Sequence, residues 1–140
     1  MREILFRGQT RRKGEKVRMD GTPVESNWVY GGVLQGPGDH SIIYQTEPDI
    51  EKKVVYTDTL GQYTGLTDKN GTKIFVGDIV RYGDTIHKVV FEQRNGTAYF
   101  GLVYSPIETL PFGHYQDLQQ LEVIGNIYEN PELIGGSEND

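Results

Sequence analysis

A chain of 140 residues with net charge −6 and no cysteine is long enough for one domain or two small subdomains. At this size it buries roughly two thirds of its unfolded surface and needs no metal or disulfide staple. The missing thiol excludes a cysteine nucleophile, cysteine-bound zinc, cysteine-ligated iron–sulfur clusters and a disulfide framework.

The charge is uneven. Arg2, Arg7, Arg11, Arg12, Lys13, Lys16 and Arg18 face only Glu3 and Glu15 across residues 1–19, a balance of +5 that leaves −11 on the remainder. An acidic body is a poor generic ligand for nucleic acid, because phosphate binding rests on released counterions and needs a basic surface. The basic segment centred on Arg11, Arg12 and Lys13 is either a local nucleic-acid contact or a solvated hairpin turn. The start, Met1 to Gly8, has too short an apolar stretch for a signal peptide. No apolar run approaches the ~20 residues of a membrane-spanning helix. The expectation is a soluble, cytoplasmic protein without membrane contact, and the absence of cysteine suits that compartment.

Eighteen glycines and nine tyrosines, with short apolar runs between turn signals, predict strands and hairpins rather than helices. Ile4-Leu5-Phe6 opens the series, and a polar loop follows over residues 9–26. Asn27 to Leu34 is the second strand, where the pair Gly31-Gly32 predicts a bulge or a close backbone approach. Gly36 to His40 turns the chain into Ser41-Ile42-Ile43-Tyr44. After Pro48-Asp49, Lys53 to Tyr56 is the next strand. Leu60 to Leu66 then runs into Asp68-Lys69-Asn70-Gly71, a strong turn signal because Asn-Gly adopts positive φ at low cost. Strands at Asp78–Tyr82, Thr85–Phe91 and Ala98–Tyr104, with turns at Gly83-Asp84 and Asn95-Gly96, have the spacing of a small SH3-like barrel, a pattern that any β-meander shares. Tyr115 to Leu121 predicts one or two turns of helix. Leu121 to Tyr128 is a closing strand, and residues 135–140 are expected to be a disordered tail. The predicted fold class is mainly β: a β subdomain over 1–60 and an SH3-like barrel subdomain over 61–134, with at most one short helix.

Catalytic and metal patterns are thin. His40, His87 and His114 have no partner at the i+4 spacing of a helical zinc pair. His87 is expected to turn outward if Ile86 faces the core. Counted from Asp68, a calcium loop of the EF-hand type would need glycine sixth and glutamate twelfth, but glycine comes fourth and Ile79 twelfth. There is no Gly-Lys-Ser/Thr tripeptide for a phosphate loop, and no serine flanked as in a nucleophile elbow. No cofactor is called for, and the chain is not expected to be an enzyme. A hydrolase built on paired carboxylates stays open only because acids are plentiful. Aromatics such as Trp28, Tyr30, Phe91 and Tyr104 are either core and cross-strand pairs or a stacking platform for single strands.

Gly61-Gln62-Tyr63-Thr64-Gly65-Leu66-Thr67-Asp68-Lys69-Asn70-Gly71, continuing to Ile74 and Gly77-Asp78-Ile79-Val80, resembles the signature of the YopX family. Arg2 to Gly8, Trp28-Val29-Tyr30-Gly31 and Ile124 to Leu133 resemble it too, so the likeness spans nearly the whole chain. The polar insert near 9–26 departs from shorter members. The resemblance implies a phage or prophage accessory protein and carries over no catalytic residue. Two roles for the signature stay open. In one, Tyr63, Leu66, Ile74 and Phe75 anchor a structural connection between the halves. In the other, Tyr63 and Lys69 are presented at a turn as a binding surface. The functional expectation is a macromolecule-binding module whose partner is a protein or a second copy of itself. The alternatives are nucleic-acid binding through Arg11, Arg12 and Lys13, and the hydrolase.

Overall fold

Runs of β-branched and aromatic residues become eleven strands in the computed structural model of the chain, which describes residues 4–11, 28–36, 38–46, 48–94, 96–105, 108–112 and 120–134. Among the described residues there are 3-10 turns but no α-helix. Two compact units divide between Tyr63 and Thr64, inside strand β5.

The first unit is an antiparallel sheet in the order β4-β3-β2-β1-β5, made by β1 (Phe6–Gln9), β2 (Trp28–Leu34), β3 (His40–Gln45), β4 (Glu51–Tyr56) and the start of β5 (Gly61–Thr67). One face is closed by Ile43 and Val55, both essentially inaccessible. Burying an aliphatic side chain of this size contributes about 1.5–3 kcal/mol. Gly8 is part of that closure, since a Cβ there would stand 2.9 Å from the Val55 side chain. The 3-10 turn Thr57–Thr59 is pinned beneath the sheet by its hydroxyls. Thr59 Oγ1 accepts from the Gln9 amide at 2.8 Å and donates to the Tyr56 carbonyl at 2.7 Å, while Thr57 and Ser41 share a hydrogen bond of 2.7 Å.

In the second unit the rest of β5 pairs with β6 (Lys73–Phe75). A five-stranded antiparallel sheet follows in the order β10-β9-β8-β7-β11, from β7 (Asp78–Tyr82), β8 (Thr85–Arg94), β9 (Thr97–Ser105), β10 (Glu108–Pro111) and β11 (Leu121–Asn126). Its core is Ile74, Val80, Val89, Leu102 and Leu121, with Leu66, Tyr82, Phe112 and Val123 packed around them.

Several expectations need correction. The described strands form an open sheet, not a closed barrel, with β10 and β11 at its two ends. β1 begins at Phe6 and takes in Gln9, the residue expected to open the polar loop; Gln9 pairs with Trp28 and is buried, so its polarity misleads. β4 starts at Glu51 because charged residues suit an edge strand. β6 and β10 have no counterpart among the predicted strands: one has three residues and the other ends in proline. The last strand stops at Asn126, whose side chain caps the following turn by accepting from the Tyr128 and Glu129 amides. Residues 12–26, the helix segment 115–119 and the tail 135–140 lie outside the described residues.

Candidate protein-interaction face

Two regions compete for a functional role, and their hydrogen bonding separates them. The first is the signature segment. Asp68 is buried, its Oδ1 accepting from the amides of Asn70 (2.8 Å) and Thr72 (2.9 Å) and its Oδ2 from that of Val123 (2.8 Å). The Gly71 amide donates to the Asp68 carbonyl at 3.0 Å, and the turn holds Gly71 at φ +83°, a conformation that favours glycine. Asp78 is also buried and accepts from the Phe75 amide at 2.8 Å. Thr64 Oγ1 donates to the Ile74 carbonyl at 2.8 Å and accepts from the Leu66 amide. The Asp68, Asp78 and Thr64 side chains are therefore engaged with the chain's own backbone, as buried polar groups must be to offset their desolvation. Asp68 holds the turn against β11.

The second region is the outer face of the β2–β3–β4 meander. The register pairs Leu34 with Ile42 and Ile42 with Val54, one continuous row across three strands. Directly cross-strand residues share a face, so this row lies opposite the buried Ile43 and Val55. Leu34 is 55% exposed and Val54 60%. A second row holds Gly32, Tyr44 and Lys52, with the Tyr44 ring lying where a Gly32 Cβ would stand, 2.5 Å from Cζ. A third holds His40 and Tyr56, their rings 4.9 Å apart. Tyr30, 45% exposed, continues the face along β2. An antiparallel sheet with one solvated face normally turns polar residues outward; this one turns out aliphatic and aromatic groups. Exposed apolar groups gathered on one sheet face are a candidate interaction surface. The glycine pair of β2 does permit a close approach, as expected: a Cβ on Gly31 would meet the Tyr44 carbonyl oxygen at 2.1 Å.

The residues singled out from the sequence fall elsewhere. Tyr63 is 6% exposed and its amide donates to the Leu5 carbonyl at 2.7 Å; it is buried in β5 of the first unit. Lys69 belongs to the second unit. It sits at the Asp68–Gly71 turn, half exposed, with Nζ 3.8 Å from Glu122 Oε1. Arg11 follows β1 and is half-buried, while Arg12 and Lys13 lie outside the described residues. Arg7 from the same basic segment is buried, with its guanidinium 4.5 Å from the centre of the Trp28 ring, a cation–π contact.

His87 is 5% exposed and Ile86 39%, so the alternation runs in the opposite phase to the outward expectation. Its Nδ1 donates to the Val103 carbonyl at 3.0 Å, Nε2 lies 2.8 Å from Thr85 Oγ1, and its ring stacks against Tyr104. Those contacts describe a core histidine. Among the described residues no three histidines, aspartates or glutamates are grouped to hold a metal ion, and no helix is long and apolar enough to cross a membrane.

Sequence reasoning missed the outer face, although a signal for it was present. Val33-Leu34, Ile42-Ile43 and Val54-Val55 are consecutive apolar pairs, and consecutive residues of a strand point to opposite faces. A half-buried strand needs only one of each pair.

Comparison with known proteins bears on the family. The family model described as YopX protein matches residues 23–135. A search of curated proteins finds no match. Among solved structures, the crystal structure of protein EF1440 from Enterococcus faecalis aligns over 96% of this chain and 99% of that one, at 23% identity and a TM-score of 0.48, a likeness too distant to carry an argument.

Proposed function

From the premise that this chain belongs to the YopX family, we propose that it is a phage or prophage accessory protein of the host cytoplasm that acts by binding another protein through the outer face of β2–β3–β4. The observation that supports this reading is the apolar row Leu34–Ile42–Val54, with Leu34 and Val54 exposed and Ile42 half-buried between them, on a sheet whose other face already supplies its core. We read the second unit, with its strand order β10-β9-β8-β7-β11, as an opened relative of the SH3-like architecture.

The test is affinity capture with tagged wild-type chain and with Leu34→Lys/Val54→Lys as parallel baits. The lysate comes from host cells that also express the untagged chain, with and without nuclease. The reading expects at least one protein, the untagged chain included, that survives nuclease with the wild type and is lost with the variant. Identical captures by both baits would overturn it. Partners that vanish on nuclease treatment would instead favour nucleic-acid binding through the basic segment around Arg11.

A further inference from the structure

Resting on that reading, we infer that the occupant of the outer face is a second copy of the same chain, packed face to face about a two-fold axis through the Ile42–Val54 row. The charges at the two ends of the face carry this inference. His40 and Tyr44 lie at opposite ends of the β3–β4 ladder, four residues and about 13 Å apart. At the His40 end stands Asp39, 76% exposed in its side chain, with Oδ1 3.0 Å from His40 Nδ1 and therefore beside the face. At the Tyr44 end stands its cross-strand partner Lys52, also exposed. A two-fold axis through the central row reverses the ladder and lays Lys52 of each copy toward Asp39 of the other, with Leu34, Ile42 and Val54 between. An isologous contact requires this kind of self-complementarity.

The size of the patch sets the strength. Three strands about 5 Å apart and about 20 Å long give about 300 Å² of flat sheet per copy, below the ~800 Å² per partner of a standard stable interface. The dimer is accordingly concentration-dependent, and its charged ends make it weaker in high salt.

Sedimentation velocity on the purified full chain, from about 5 µM to about 500 µM, tests this. The wild type should shift from monomer toward dimer, and Leu34→Lys/Val54→Lys should stay monomeric. Lys52→Glu and Asp39→Lys should each associate about tenfold more weakly than wild type. An equimolar mixture of those two variants should recover association. In the mixed dimer the two substituted positions meet with opposite charge at one end, and the native Asp39–Lys52 contact is kept at the other. A wild type that stays monomeric throughout would overturn the second-copy assignment, while the capture experiment above would still decide whether the face binds a different protein. Association that persists in Leu34→Lys/Val54→Lys, or a mixture no stronger than its components, would overturn it as well.

Discussion

Asp68 and Leu34 stand on opposite sides of a simple rule. Asp68 is a charged residue in a turn-forming motif, yet it is buried and its carboxylate holds three backbone amides. Leu34 is apolar and lies in a regular strand, yet more than half of it faces solvent. The signature segment buries Asp68, Asp78 and Thr64, and the outer face of the meander turns Leu34 and Val54 to solvent. The comparison teaches that buried polar groups in the most recognisable stretch of the chain bond to the fold itself, whereas the exposed apolar pair Leu34 and Val54 lies outside that stretch.

Mutations sharpen the contrast. The largest effect is expected at Asp68→Ala, which leaves three amides without their acceptor and should destabilise the second unit by about 3–4 kcal/mol, since each lost partner of a part-buried donor costs about 1–3 kcal/mol and the turn amides regain some water. Native-state hydrogen exchange should show it as lost protection at the Val123 amide, and unchanged protection there would break the architectural reading. Gly31→Ala should cost about 3 kcal/mol in the first unit, because the added methyl meets the backbone of β3 rather than a movable side chain. Trp28, the one tryptophan, reports that loss in urea by fluorescence. Lys69→Ala should move stability by less than about 0.5 kcal/mol in the same exchange experiment, as its ion pair is solvent-exposed and Arg81 also approaches Glu122, at 3.7 Å.

The parts of the fold legible in the sequence were those where hydropathy and turn chemistry agree. Asp78–Tyr82 appears with the predicted bounds, and the Asn70-Gly71 turn lies where its positive φ was expected. Bounds failed where polarity and burial part company. Gln9 is polar and buried in β1, and Glu51-Lys52 are charged yet belong to an edge strand. The open second sheet was not legible, because strand spacing specifies neighbours along the chain and leaves closure to curvature and long-range pairing. The candidate face was overlooked for a related reason. Each doubled pair, such as Val54-Val55, fits a strand perfectly well, and only the cross-strand register aligns Leu34, Ile42 and Val54 in one row.

The most direct test of the central claim is the stability of Leu34→Lys/Val54→Lys, followed by Trp28 fluorescence in urea at a concentration where the chain is monomeric. If the outer face is kept for a partner, two lysines there should leave unfolding within about 0.5 kcal/mol of wild type, as for other surface substitutions. A loss of about 2 kcal/mol or more, the scale of a disrupted core, would mean that these side chains are covered within the folded chain itself and would contradict the account.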